Sequence, residues 1–120
     1  MVTTRACDSC HRTAAWTPAT YTHLTPAFKP HNAAVTCVSC HKSNTEVATW
    51  TFAAYKPDCA GCHAGNFKQG PHKKVESPLI YYTVAELKDC SGSCHVYTNA
   101  TFTTILKSRS GQHRSTGGGF

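Results

Sequence analysis

CDSCH, residues 7–11, sets a histidine directly behind the second of two cysteines, and the same frame returns as CVSCH at 37–41 and CAGCH at 59–63. A stretched copy, CSGSCH, occupies residues 90–95. Together the four stretches take all eight cysteines of this 120-residue chain and four of its eight histidines. Whatever folds the chain is organised around them.

Two ordinary uses of cysteine fit the pattern poorly. Eight cysteines in a short chain are normally a disulfide framework. Yet every pair here ends in a histidine (Cys7/Cys10/His11, Cys37/Cys40/His41, Cys59/Cys62/His63 and Cys90/Cys94/His95), and disulfide chemistry has no use for those imidazoles. Zinc fingers use both residue types, but they place their histidines several residues beyond the cysteine pair, with a second histidine at short spacing. No pair here has that partner.

Covalent haem accounts for the spacing directly. On a single helical turn, positions i, i+3 and i+4 share a face. Both thiols can then form thioethers with the two porphyrin vinyl groups while the adjoining imidazole meets the iron, and CxxCH is the c-type attachment sequence. In the fourth copy the cysteines stand at i and i+4 around Gly92, which reads as a variant attachment site. The proximal ligands are then His11, His41, His63 and His95. The other four histidines, His23, His31, His72 and His113, equal in number the four distal positions. Met1 is the sole methionine, so the expectation is four haem c groups, each six-coordinate with two imidazoles. Chain proximity favours His23 with an early haem and His72 with the third.

These motifs make the chain resemble the bis-histidine multihaem c-type cytochromes of anaerobic respiring bacteria, over nearly its whole length from Cys7 to His113. That group includes small class III cytochromes, repeat-built proteins of metal-reducing bacteria and tetraheme subunits of extracellular filaments. Class III proteins usually place distal histidines before their first motif, whereas Cys7 comes first here. A repeat module or filament subunit is therefore the closer likeness. It implies electron transfer, as a carrier or as a unit of a longer haem chain. It also implies redox proteins, an extracellular electron acceptor or head-to-tail copies of the chain as partners.

Internal repetition agrees: WTPATY at 16–21 and WTFAAY at 50–55 share the frame W-T-x-A-x-Y. With four porphyrins to cover, 120 residues leave little for a conventional core, and the expected fold is a single tetraheme domain, 1–120, mostly irregular coil with short α-helices. It would be haem-packed, with little or no β-sheet. One-turn helices are expected at the motifs and a further helix within SPLIYYTVAELKDC (77–90), with Pro18, Pro26, Pro30, Pro57, Pro71 and Pro78 dividing the rest. Residues 113–120 read as a flexible glycine-rich tail. His113 at its start is expected either to fold back onto its own chain or to reach the haem of a neighbouring copy.

Charge and hydropathy narrow the partners. Twelve basic against six acidic residues give +6. Four haems, each carrying about −1 oxidised or about −2 reduced, nearly balance that charge. No nucleic-acid module accompanies the basic residues. No apolar run approaches the roughly 20 residues that span a bilayer. An enzyme of the multihaem kind, reducing a small inorganic substrate, needs an iron with an open side. Eight histidines for eight axial positions argue against an enzyme and for electron transfer. Covalent attachment implies export to the periplasm or cell exterior, and since MVTTRA at 1–6 holds no apolar leader, a mature chain or module is expected.

Overall fold

A computed structural model of the chain describes residues 1–23, 31 and 36–114. These fall into two compact units, one from Met1 to Thr49 and the other from Trp50 onward, with His31 belonging to the second. Most of the expected tail, 115–120, lies outside the described residues.

The first unit is built on two one-turn motifs, a 3-10 turn at Cys7–Ser9 and helix α1 at Cys37–Cys40. In each, the N–H of the following histidine returns to the carbonyl of the first cysteine, from His11 to Cys7 at 2.9 Å and from His41 to Cys37 at 2.9 Å. Thr36 starts α1 by a reciprocal cap with Ser39, a local device that settles donors the short helix would leave open. The carbonyl of the second cysteine is taken by an N–H further along the chain, from Thr20 to Cys10 at 2.7 Å and from Thr49 to Cys40 at 2.8 Å. Each motif is thus followed by a loop that closes on its own turn. The amino-terminal segment lies along residues 44–46 through Val2 N–H to Asn44 carbonyl at 2.7 Å and an Arg5–Glu46 ion pair at 3.3 Å. Glu46 also accepts from the Thr3 hydroxyl and the Thr4 N–H. That hydroxyl above all holds its carboxyl below the usual range.

In the second unit a 3-10 turn at Ala53–Tyr55 precedes helix α2, Ala60–His63, which runs on as a 3-10 turn at Ala64–Asn66. Four strands follow: β1 Lys73–Val75, β2 Ile80–Tyr81, β3 Cys94–Tyr97 and β4 Ile105–Arg109. They form one mixed sheet in the order β2-β1-β3-β4. The outer pairs are antiparallel and the central β1/β3 pair is parallel, with Val75 opposite Tyr97. Tyr82 ties the strands together, its N–H bonding the His72 carbonyl at 2.9 Å and its hydroxyl donating to the His95 carbonyl at 2.7 Å. Burial, first of all, raises its pKa, which keeps that donor protonated.

The sheet corrects the expected fold class, a haem-packed coil with short helices and little or no β-sheet. The physical reason lies in the β-branched residues: Thr, Val and Ile in FTTILKSR and CHVYT are restricted at χ1 and suit a pleated surface, so their abundance marks strands as well as loops. The helix expected within 77–90 is also absent. Ile80–Tyr81 is strand β2, and TVAE at 83–86 forms only a capped turn, with Glu86 accepting from the Thr83 N–H at 2.9 Å. Cys90, at φ 57°, ends the stretch in a left-handed conformation.

The core of the described residues is small, comprising Ala60, Val75 and Val96, with Val75 fully buried at the sheet centre. Val75→Ala should therefore cost about 1.5–3 kcal/mol in a denaturant titration. Lys74, beside β2, lies 4.1 Å over the Phe102 ring and pairs with Glu86 at 2.5 Å. The Lys74 bond first, then the Thr83 N–H, pull the Glu86 carboxyl down to about 2. A depressed carboxylate stabilises the fold above its unfolded value and loses that contribution as pH falls through its folded one. The stability difference between wild type and Glu86→Gln should be at most about 1 kcal/mol, because the carboxylate of the pair is exposed to solvent. It should fade between about pH 5 and pH 2, as acid titration of both proteins will show.

Candidate functional site

The three CxxCH copies share one local geometry. As in the first two, the His63 N–H returns to the Cys59 carbonyl, at 3.0 Å, closing a single turn. That turn sets two thiols and an imidazole on neighbouring positions of one face. All eight cysteines are free thiols. Cys7, Cys37 and Cys62 are exposed, and Cys10, Cys40, Cys59, Cys90 and Cys94 are half-buried. Among the described residues no three His, Cys, Asp or Glu side chains gather as a single metal cluster. Six of the eight imidazoles come in twos.

His23 faces His41 with ring centres 6.3 Å apart and planes 14° from parallel. His31 faces His63 at 6.2 Å and 25°. His72 faces His113 at 5.9 Å and 23°. Among the described residues, other near-parallel rings sit closer, His11 on Trp16 at 4.0 Å and Phe67 on His72 at 4.7 Å. Three histidine pairs therefore share a wider separation that ring-on-ring contact does not explain. Metal–imidazole bonds are about 2.0–2.1 Å long and each ring centre lies roughly 1.2 Å behind its nitrogen, so two imidazoles in line across one metal have centres about 6.4 Å apart. The observed spacing fits an iron held between two imidazoles.

Tautomer and orientation are set from the other side of the ring. His11 Nδ1 lies 2.5 Å from the Trp16 carbonyl and His72 Nδ1 lies 2.7 Å from the Lys68 carbonyl. A carbonyl can only accept, so each Nδ1 donates to it and Nε2 is the nitrogen that faces away, the orientation that metal-ligating histidines use. Burial first, and then the nearby His31, lower the pKa of His63 and favour its neutral form. The buried Nδ1 of His41 has no hydrogen-bond partner among the described residues.

The second and third motifs each set their histidine opposite a further imidazole at a spacing that a haem iron would fit: Cys37/Cys40/His41 with His23, and Cys59/Cys62/His63 with His31. The first motif has its turn and an oriented imidazole, with Trp16 stacked on His11 at 3°. The fourth is different. Cys94 and His95 lie in β3, opposite Arg109 and Ser108 of β4, and His95 Nδ1 is 3.0 Å from the Ser108 hydroxyl. His72 and His113, each expected opposite a motif histidine, stand opposite one another. Cys90 lines the same cavity as both. Burial, and then Cys59 and Asp89, raise its thiol pKa.

Sequence reading found the tryptophans through their repeat but not their roles. Trp16 covers His11 of the motif before it. Trp50 packs on Gly61 of the motif after it, while the Phe52 N–H bonds the Gly61 carbonyl at 2.8 Å. The Lys68 carbonyl and the Phe67 ring that hold His72 carry no sequence signal beyond their nearness along the chain.

Compared with known proteins, the chain matches no family model, no curated protein and no solved structure. No helix among the described residues is long and apolar enough to cross a membrane.

A methyl group on Gly61 would fall 2.5 Å from Trp50 Cε3 and 2.8 Å from Cζ3, forcing a rigid, half-buried ring to move. Gly61→Ala should thus destabilise the second unit by about 1–3 kcal/mol despite the better helix propensity of alanine. Gly70→Ala, whose added methyl meets nothing within 4 Å, is the control and should leave thermal unfolding unchanged.

Proposed function

We propose that the protein transfers electrons through covalently bound c-type haems, as a carrier or as one unit of a longer haem chain, and is not an enzyme. The observation that carries this reading is the recurrence of near-parallel histidine pairs 5.9–6.3 Å apart, two of which include the histidine that closes a CxxC turn. Once bound, the haem would supply reversible one-electron exchange at iron.

The chain's own residues account for the rest. Where two imidazoles meet on one iron, as His23 with His41 and His31 with His63 would, no side is left open to a substrate, which suits electron exchange and disfavours substrate reduction. The backbone carbonyls of Trp16 and Lys68 hold His11 and His72 in one tautomer and one orientation, so little has to rearrange when charge changes. The cysteine turns anchor the cofactor at fixed points of the chain. The basic residues offset the propionates. Export to the periplasm or cell exterior, where such attachment takes place, belongs to the same reading, as do redox proteins, an extracellular acceptor or further copies of the chain as partners.

Expression with an export leader in a host that attaches haem c should yield a chain carrying four haem masses under denaturing mass spectrometry. Cys37→Ala combined with Cys40→Ala should lower that count by one. A chain with no adduct overturns the proposal, and loaded protein whose irons are all high-spin in electron paramagnetic resonance supports a substrate-reducing enzyme instead.

A further inference from the structure

The fourth cysteine stretch and the third histidine pair do not fit the pattern of the other motifs, and the two departures meet in one place. In a strand, neighbouring side chains point to opposite faces. Cys94 and His95 are neighbours at the start of β3 and pair in register with Arg109 and Ser108, so a thiol and an imidazole that would have to serve one porphyrin are directed to opposite sides of the sheet. The side chain of His95 is engaged across the ladder with Ser108 at 3.0 Å. Nothing about CSGSCH repeats the single turn that unites the ligands of the other three.

His72 and His113 supply what His95 does not. Their separation of 5.9 Å and interplanar angle of 23° match the His23–His41 and His31–His63 pairs, although neither residue follows a cysteine. His72 is held from three sides: its Nδ1 by the Lys68 carbonyl, its ring face by Phe67 at 4.7 Å, and its own carbonyl by the Tyr82 N–H at the head of the β1/β2 pair. Such bracing is the support that an axial imidazole requires. The small cavity beside the two rings has apolar walls from Val84, Leu87 and Phe67, and Cys90 lines it together with His63 of the third motif. The left-handed backbone of Cys90, φ 57°, and its N–H bond to the Leu87 carbonyl at 2.8 Å fix where that cysteine stands on the wall.

We infer that His72 and His113 are the two axial ligands of the haem at the fourth cysteine stretch, that Cys90 is its single thioether anchor, and that Cys94 and His95 serve the sheet. The inference rests on the electron-transfer reading above. At Cys90 the thiol adds across one vinyl group: a carbon–sulfur bond and a carbon–hydrogen bond form, the S–H bond and the vinyl π bond are lost, and no oxidant or reductant is consumed. The second vinyl group stays unreacted.

The test uses the full, haem-loaded chain and compares substitutions at His72, His113 and His95, together with Cys90→Ser and Cys94→Ser. His72→Ala and His113→Ala should each turn one haem equivalent from low-spin to high-spin in electron paramagnetic resonance, while His95→Ala leaves the spectrum unchanged. His72→Met and His113→Met guard against variants that fail to fold: each should introduce the near-infrared thioether-to-iron band of a methionine-ligated haem, and His95→Met should not. Cys90→Ser should remove one covalent haem by mass, and Cys94→Ser should remove none. Loss of low-spin signal in His95→Ala, or loss of a haem in Cys94→Ser, overturns the inference while leaving electron transfer intact. Wild-type protein without any covalent haem overturns the underlying reading itself.

Discussion

A histidine N–H bonded to the carbonyl of a cysteine four residues earlier, at 2.9–3.0 Å, recurs at Cys7–His11, Cys37–His41 and Cys59–His63. This one backbone contact gathers the side chains of a short sequence, because it winds two thiols and an imidazole onto one face of a turn. Isolated single turns are unstable in water, since nucleation fixes several residues for one hydrogen bond. Each is therefore braced from outside: Thr20 and Thr49 hold the carbonyls of Cys10 and Cys40, and Trp50 and Phe52 hold Gly61. The loops between motifs are the braces.

The sheet of the second unit does the same work by other means. It contributes little burial, with Val75 and Val96 as its enclosed side chains, but it fixes where three of the histidines stand. His72 immediately precedes β1, His95 lies in β3 and His113 follows β4. Pairing β1 in parallel beside β3, and β3 beside β4, brings residues distant along the chain to neighbouring strand ends. Tyr82 joins this frame to both His72 and His95 through one backbone donor and one hydroxyl donor. The Lys74–Glu86 pair, with Phe102 beneath the ammonium, steadies the same edge.

Spacing alone made the first three motifs legible, because the side chains that one turn brings together are five consecutive residues of the sequence. The eight histidines and their division into motif and non-motif residues were legible too. The tryptophan repeat was visible at Trp16 and Trp50, although one ring turns back to His11 and the other forward to Gly61. The strands were hidden because Thr-rich stretches such as FTTILKSR suit loops and pleated sheets equally, and each strand is at most five residues long.

Sequence by itself determined where the thiols and imidazoles stand along the chain: four close cysteine pairs, an imidazole behind each, and as many imidazoles again elsewhere. Tertiary structure decided which imidazoles meet. His23 with His41, His31 with His63 and His72 with His113 are contacts across 18, 32 and 41 positions of chain. No local preference specifies such pairings. The fourth stretch marks the boundary between the two kinds of information. CSGSCH contains the right residue types, but ladder pairing with β4 extends Cys94 and His95 into a strand. In that conformation adjacent side chains diverge, whereas one helical turn would have brought them together.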